Sequence, residues 1–435
     1  MRNRFFICSL GVLAVAAGVA VFWIRSQSTP RQAGVTAPAE NPDNAALEAD
    51  PTAPARQSLD LQPPLGASTI AAADSACDQL MAQLTDENVS LKTRRQAARA
   101  LAKLGSDRAM AALQTALHNS NSPPHLKAAI AEGLGQSSRA EARTWLLELL
   151  RGSDEVAARG ALRGLALRGD AETIQVISEV LNNRSMAESL RNEAALALGD
   201  MDQPDALAAL TQAAGEFDDP VLLESILQGL GRRPYVETRE FFEAWLELPA
   251  VSVEAKVAAL EALGDAPGDP TALLLKYARD SNEEVRAAAV WALSATMAET
   301  DIGPQLIELL QREQVSDVRE RLYQALLDQH LADPQALFDL LRVEAEAEVR
   351  LAGYGVVAGA CSSTAEAGRF FDEVAVVELT RVALSGDSSK ALSSVGTLRR
   401  AGTPGARQAL QRIGQEAVDR KVSEAAMAGF RVGAR

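Results

Sequence analysis

The sequence predicts an all-α protein, an α-solenoid of about eleven short helix pairs that follows one N-terminal transmembrane helix and a disordered linker. Three observations predict it: a long apolar run near the start, a proline-rich stretch without aromatic residues, and a leucine that recurs every 30 to 33 residues. The 435 residues are 47% hydrophobic but 4% aromatic, so the core must be aliphatic. The predicted boundaries are residues 1–24 for the anchor, 25–71 for the linker and 72–435 for the solenoid.

The first predicted element is a membrane anchor. Residues 5–24 are twenty consecutive residues without a charge, which is long enough for a helix to cross a bilayer core. A cleaved signal peptide is the alternative, although the run ends in Phe22, Trp23 and Ile24 rather than in small residues. We expect an uncleaved single-pass anchor in the inner membrane of a bacterium, with the rest of the chain in the periplasm.

The linker follows from composition. Residues 25–70 contain seven prolines and no aromatic residue, and such a segment cannot bury enough apolar surface to fold. A flexible chain of this length has a reach of roughly 35 to 40 Å. Residues 59–65 are its one apolar cluster, which we interpret either as a cap on the first helix or as a short partner motif.

The solenoid is predicted from the recurring leucine, which marks the end of one helix in each pair. The series is Leu104, Leu134, Leu165, Leu198, Leu230, Leu263, Leu293 and Leu326, with Val357 next. Glycine follows five of these leucines and predicts a left-handed C-cap there. Residues three and four positions before each leucine are small or apolar, so they form a packed stripe. Because one short helix pair cannot bury its own apolar face, neighbouring pairs must stack.

The clearest repeat is residues 281–293, Ser-Asn-Glu-Glu-Val-Arg-Ala-Ala-Ala-Val-Trp-Ala-Leu, and its Val-Arg start recurs at Arg319 and Arg350. In these residues the chain resembles the HEAT repeat family, in the short form related to phycobilin-lyase repeats. The resemblance covers residues 72–435 and implies stacked helix pairs whose motif residues are structural. The register weakens after Val357, where residues 385–390 lengthen a loop before a helix at 391–400, and residues 405–417 and 420–430 are the predicted final pair.

Catalytic motifs are missing from the sequence. The three histidines, His118, His125 and His330, fit no metal-binding spacing, and we predict no enzyme activity, no cofactor and no metal site. Cys77 and Cys361 lie about nine repeats apart, roughly 70 to 90 Å at the usual helix spacing, so they are predicted to be unpaired. Two other functions stay open: a steric folding helper for an exported protein, resembling the lipase-specific foldases in layout, and a bilin-lyase-like enzyme.

Charge is distributed unevenly along the solenoid. The net charge of −15 argues against nucleic acid as the main partner. Residues 92–168 carry 13 lysines and arginines against 6 acidic residues, whereas residues 169–435 carry 25 against 43. Solvated helix faces would explain this, but the basic repeats could also contact anionic lipid or an acidic partner while the distal repeats attract a basic one. The basic residues proposed for that contact are Lys92, Arg94, Arg95, Arg99, Arg159 and Arg163.

The predicted recognition surface lies two and six positions before the recurring leucine, where residues vary and are often polar. In a HEAT repeat these positions look like the inner, concave wall of the second helix, which would bind a protein or an extended peptide. The partner-binding candidates are Trp291, Arg159, Arg163, Glu224, Gln228, Glu261, Glu320 and Gln324. Trp291 is either an exposed binding anchor or buried against its neighbour, while Trp145 and Trp245 are predicted to belong to the core.

Overall fold

The computed structural model describes residues 66–296, 301–327, 329 and 334–428, with side chains from residue 75 onward. All of them belong to one compact unit. The predicted anchor, Cys8, the apolar cluster at 59–65 and His330 lie outside the described residues. A helix begins at Gly66, so it includes the last six residues of the predicted linker, 66–71.

The predicted location in the inner membrane is wrong for the chain as the structure describes it. Within the described ranges no helix combines the length and the apolar character needed to span a bilayer. Residues 5–24, on which that prediction depended, are outside these ranges.

The all-α prediction is confirmed, since every regular element in the described ranges is a helix. In chain order the helices are α1 (Gly66–Thr85), α2 (Leu91–Leu104), α3 (Asp107–His118), α4 (Pro124–Gly135), α5 (Ala140–Arg151), α6 (Glu155–Arg168), α7 (Ala171–Asn182), α8 (Glu188–Gly199), α9 (Pro204–Glu216), α10 (Pro220–Gly231), α11 (Tyr235–Trp245), α12 (Val253–Gly264), α13 (Thr271–Tyr277), α14 (Glu283–Ala295), α15 (Gly303–Arg312), α16 (Ser316–Ala325), α17 (Gln335–Val343), α18 (Ala347–Ala360), α19 (Ala365–Phe370), α20 (Val376–Ala383), α21 (Ser388–Ala401), α22 (Pro404–Glu416) and α23 (Arg420–Met427). A π-helical turn, Phe371–Ala375, joins α19 to α20 and was not predicted.

The helices stack in two layers. The second helices of the pairs, α2 to α18 in even numbers followed by α21 and α23, each pack against the next along the whole unit. The first helices contact one another less extensively. We call the solvent-facing surface of the second helices the inner wall, which is where the sequence analysis expected a partner to bind.

The recurring leucines are core residues with one exception. Seven of the eight leucines and Val357 are buried, whereas Leu104 is 48% exposed. In α2 the core position is taken by Leu101, which is fully buried. The first repeat is thus shifted by about one helical turn from the predicted register.

The glycines after these leucines have a different role from the one predicted. Gly105 does adopt the left-handed C-cap, with φ of 61°. Gly135, Gly199, Gly231 and Gly264 instead are the last residues of their helices and do not have positive φ. A methyl group at Gly135 would overlap the backbone of Gly164 in α6. These glycines therefore let successive second helices approach closely, and the prediction of a C-cap is wrong for four of the five.

The Val-Arg motif joins one repeat to the next. Arg286 donates from Nε and Nη2 to Glu313 at the end of α15, at 2.7 and 2.9 Å, and from Nη1 to the backbone carbonyl of Asp280 before its own helix. Arg319 forms the same bidentate pair with Glu344. Arg350 repeats it with Glu378. Paired planar groups of this kind are strong and directional, so the motif is structural, as the resemblance implied.

Other core assignments agree with the sequence. Trp145 and Trp245 are buried on the first helices α5 and α11. Cys77 is buried and Cys361 is partly buried, and both are unpaired. Burial raises the pKa of the Cys361 thiol to about 12, and the nearby Asp372 adds to the effect, so this thiol is unreactive at neutral pH.

Candidate binding surface on the inner wall

The eight residues predicted to bind a partner all lie on second helices. Two of them are on α6, in what we call the proximal wall, formed by α2, α4, α6 and α8. The other six lie in the distal wall, formed by α10, α12, α14, α16, α18 and α21. The proximal candidates are Arg159 and Arg163, and the distal candidates are Glu224, Gln228, Glu261, Trp291, Glu320 and Gln324.

On the proximal wall the charged side chains form an alternating ladder across four helices. Arg99 of α2 pairs with Glu132 of α4, which also accepts from Arg163 Nη1 at 3.1 Å. Arg163 Nε and Nη2 pair with Glu193 of α8 at 2.6 and 2.9 Å. Arg159 Nε lies 3.1 Å from the same carboxylate. Every member of the ladder thus has a partner of opposite charge from a neighbouring repeat.

The ladder stabilises the stack rather than offering free charge. The Glu193 side chain is 5% exposed, so its negative charge depends on the two arginines. Burial raises the pKa of Glu132, but hydrogen bonds from Arg99 and Arg163 outweigh it and lower that pKa. Arg159 and Arg163, the two partner-binding candidates of this wall, thus form ion pairs within the chain, and their side chains are 43% and 46% exposed. Arg94 of the same basic stretch donates to the Leu84 carbonyl at 3.0 Å.

On the distal wall two identical side-chain pairs present carboxylates without a basic partner. Gln228 Nε2 donates to Glu224 Oε1 at 3.1 Å on α10. Gln324 Nε2 donates to Glu320 Oε1 at 3.1 Å on α16. Each amide fixes one carboxylate oxygen and leaves the other open. Neither glutamate forms an ion pair with the described residues, in contrast to Glu132 and Glu193.

The electrostatics of this wall are unfavourable for its own acids. Glu261 of α12 is exposed, and its partial desolvation, together with the charge of Glu224, raises its pKa. Desolvation and the charge of Glu348 likewise raise the pKa of Glu320. Arg321 partly offsets both effects from a distance. A cation bound here would relieve a repulsion that the fold leaves in place.

Trp291 is half-buried, between the two alternatives that the sequence left open. It packs against the core from α14. Its ring atom Cζ3 lies 3.3 Å from where a methyl group at Gly264 would be, so the indole occupies the space that this glycine leaves on α12. Gly264 is one turn after Glu261 on the same helix.

A cavity of about 540 Å³ opens in the distal wall where α16, α18 and α21 lie side by side. Glu320 and Gln324 line it, together with Leu327. The other lining residues are Glu348, Leu351, Ala352, Gly355, Leu379, Lys390, Ser393, Ser394, Gly396, Thr397 and Arg400. Lys390 Nζ pairs across the rim with Glu348 at 2.5 Å.

The sequence did not identify the α21 side of this cavity. Its polar residues follow helical spacing, at Lys390, Ser393, Ser394, Thr397 and Arg400, and this stripe was visible in principle. The repeat register weakens after Val357, and no recurring leucine marks the buried face of α21. The sequence therefore did not indicate which residues of this helix face the inner wall. The partners of Arg163 were missed because nothing local links Glu193 to a residue 30 positions earlier.

The described histidines lie at helix ends in solvent. The His118 imidazole Nδ1 is 2.8 Å from the Gln114 carbonyl at the end of α3, and His125 is exposed in the first turn of α4. Within the residues the structure describes, no three His, Cys, Asp or Glu side chains are grouped as metal ligands would be.

Comparison with known proteins supports the repeat assignment. A family model for HEAT repeats matches residues 77–157, 143–231 and 242–327, which together are more than half of the chain. No curated protein sequence matches the chain significantly.

Solved structures with a similar fold are distant in sequence. Kap121p is 14% identical with a TM-score of 0.50, over 82% of this chain and 45% of Kap121p. Kap121p bound to Pho4p gives a TM-score of 0.48 at 14% identity, over 83% of this chain and 44% of the other. The complex of CpcE and CpcF of phycocyanin lyase from Nostoc is 20% identical over 53% of this chain and 92% of the other, with a TM-score of 0.29. The chain spans less than half the length of Kap121p, and the likeness concerns the fold alone.

Proposed function

We propose that this chain, which belongs to the HEAT repeat family, is a binding scaffold that holds a basic, extended segment of a protein partner along its distal wall. The observation that carries the proposal is the set of carboxylates on that wall without a basic partner, at Glu224, Glu261 and Glu320. The same positions on the proximal wall are neutralised inside the chain.

The geometry suits an extended chain better than a small ligand. Glu224 is on α10 and Glu320 on α16, three steps apart in the stack, or about 25 to 30 Å at 8 to 10 Å per step. An extended peptide covers that distance in about eight residues. Trp291 lies on α14, between these two positions, where its half-buried ring can contact a lysine or arginine side chain.

The proposal includes no catalytic step. Stacked repeats contact only their neighbours and present a continuous surface, so they can bind a partner through many weak contacts at once. We expect affinity to be shared among the wall residues and to depend on salt, because the charges are exposed.

The test is a binding measurement with the full chain and fluorescein-labelled peptides about twelve residues long, one with lysine at every third position and one with glutamate there. We expect the lysine peptide to bind and the glutamate peptide not to bind, as judged by fluorescence anisotropy at low salt.

The double variant Glu224→Gln/Glu261→Gln should weaken binding of the lysine peptide about tenfold, because each lost charge pair contributes roughly 0.5 to 1 kcal/mol at an exposed site. The matched control is Glu240→Gln, which removes an exposed carboxylate from the first helix α11. Equal binding of both peptides, or equal loss in the control, would contradict the proposed function.

A further inference from the structure

The cavity between α16, α18 and α21 differs from the rest of the wall because one side of it is built of hydrogen-bond donors. Ser394 is 2% exposed, lines the cavity and forms no hydrogen bond with the described residues. A serine inside a helix commonly donates to the carbonyl one turn earlier, as Thr380 does to Val376 at 2.7 Å. The Ser394 hydroxyl keeps contact with the cavity, so it can donate a hydrogen bond to a polar group that enters from outside the chain.

Arg400 is the charged group at one end of the same side. Lys390, at the other end, is neutralised by Glu348, whereas Arg400 has no ion pair among the residues the structure describes. Arg400 also borders a second depression that contains Asp372. The Asp372 carboxylate accepts hydrogen bonds from Thr403 Oγ1 and from the Gly405 backbone nitrogen. It forms no ion pair with the Arg400 guanidinium.

The opposite side of the cavity combines the polar Glu320, Gln324 and Glu348 with an apolar part. Leu327, Leu351 and Ala352 face it from the end of α16 and from α18, and the buried Leu379 lies at its floor. Space is available on the α21 side as well, because no atom of another helix lies within 4 Å of where a methyl group at Gly396 would be. A ligand that places an aliphatic group against this apolar part and an anion near Arg400 would fit both.

We propose that this cavity binds the carboxyl-terminal residue of the partner chain, with its α-carboxylate on Arg400 and Ser394 and an aliphatic side chain against Leu327 and Leu351. A chain terminus presents a carboxylate and a side chain on one carbon atom, which suits both parts of the cavity. The inference deepens the proposed function and depends on it, since the terminus belongs to the same basic segment.

The cavity also sets the direction of the bound chain. Glu348 lies in the first turn of α18. Lys390, which pairs with it, is ten residues before Arg400, or about 15 Å along the axis of α21. That distance corresponds to four or five residues of extended chain. A basic residue that far before the terminus would reach Glu320, and earlier residues would continue along the distal wall toward α10.

The experiment compares three fluorescein-labelled peptides that share the lysine spacing used above. One ends in leucine with a free carboxylate, one ends in leucine amide, and one is an amide that ends in glutamate. We expect the free acid to bind about tenfold more tightly than either amide, because a charge-assisted hydrogen bond to a carboxylate is among the stronger ones.

Arg400→Gln should abolish the difference between the free acid and its amide, and Ser394→Ala should reduce it. The matched control is Arg399→Gln, which removes the adjacent exposed arginine that does not line the cavity and should keep the difference. Circular dichroism melting would verify that each variant is folded.

The outcomes separate this inference from the proposed function. Equal, salt-sensitive binding of the free acid and the amide to the native chain would overturn the terminal site while leaving the basic-peptide scaffold intact. Tight binding of the glutamate-ended amide would also overturn it, by showing that any carboxylate serves. Binding of none of the peptides would overturn the proposed function and this inference together.

Discussion

The proximal and distal walls are built from the same repeat but use their charged residues differently. On the proximal wall Arg163 and Glu193 close an ion-pair ladder that joins neighbouring helices. On the distal wall Glu224 and Glu320 accept hydrogen bonds from glutamines of their own helices and form no ion pair with the described residues. The comparison teaches that a charged position on an inner wall can serve binding only where the stack does not require it for its own stability.

The glycines show the same contrast. Gly164 of α6 lies against the backbone of Ala131, so α4 and α6 are in close contact. Gly396 of α21 faces open space, and the helices around it leave a cavity. Glycine therefore allows close helix packing in the proximal wall, whereas in the distal wall it lines a cavity.

The largest effect is expected where the ladder is broken. Arg163→Glu places a third carboxylate beside Glu132 and the nearly buried Glu193, which keeps only Arg159 as a partner. We expect the free energy of unfolding to fall by about 3 kcal/mol. This is less than the largest losses seen when a fully buried ion pair is broken, because Arg163 is half exposed. Urea denaturation followed by circular dichroism measures the loss.

The control for that change is Arg151→Glu, at the exposed end of α5. It reverses the same charge at a surface position, and its effect should stay within about 0.5 kcal/mol. If the two variants unfold at the same urea concentration, the ladder does not stabilise the proximal wall.

The next effect tests the glycines. Gly164→Ala should cost about 2 kcal/mol of stability, because its methyl group would overlap the Ala131 backbone and the helices must separate. Gly396→Ala should raise stability by up to about 1 kcal/mol, since alanine favours a helix and the space is open. Thermal unfolding of both variants measures the difference, and a shift of the same sign in both would refute the contrast.

A smaller effect is expected at Trp291. Trp291→Ala should weaken binding of the lysine peptide by about 1 to 2 kcal/mol, as for a partly desolvated aromatic anchor. The comparison variant is Trp245→Ala, which removes a buried ring from the first helix α11 and should cost stability of about 3 kcal/mol or more. Unchanged peptide affinity in a folded Trp291→Ala protein would remove this residue from the binding surface.

The smallest effect is a pH dependence of opposite sign for binding and for stability. The raised pKa values of Glu261 and Glu320 mean that both lose charge at a higher pH than a free glutamate, so affinity for the lysine peptide falls first. Their protonation favours the folded state, because a raised pKa means that the folded chain binds the proton more tightly.

The acids that join the repeats behave in the opposite way. Burial raises the pKa values of Glu313 and Glu344, but the bonded arginines outweigh it and lower them. Their contribution to stability is complete above the ordinary value of 4.5 and is lost as pH falls through the lowered values. Anisotropy and urea titrations across this range should show binding weakening while stability holds. Simultaneous loss of both would contradict the separation.

Much of the fold could be predicted because its signals are local. The leucine period and the small residues one turn earlier specify which face of each second helix is buried, and the buried Leu134 and Leu165 agree. Leu104 is the exception, because Leu101 takes the core position in the first repeat. The π-helical turn Phe371–Ala375 left no periodic signal. The helices beyond it were predicted, but the cavity that α21 borders was not.

Six of the eight candidate residues lie on the wall that we propose as the binding surface, since solvent-facing positions also follow helical spacing. Arg159 and Arg163 follow the same helical spacing, and the sequence could not distinguish them from the six candidates on the distal wall. Their acidic partner Glu193 is 34 and 30 residues later, and only the stacking of α6 on α8 brings these groups together.

The sequence by itself determined the repeat, its all-helical character and the inward face of each second helix, because helical periodicity places these residues within a few positions of one another. The tertiary structure decided which charges are neutralised, which glycines close the stack and where a cavity remains. Lys390 pairs with Glu348, which is 42 residues earlier in the sequence. Gly164 leaves no room for a side chain because the backbone of Ala131, on another helix, lies against it. Such contacts depend on the spacing between stacked repeats, and the sequence of a single repeat does not specify that spacing.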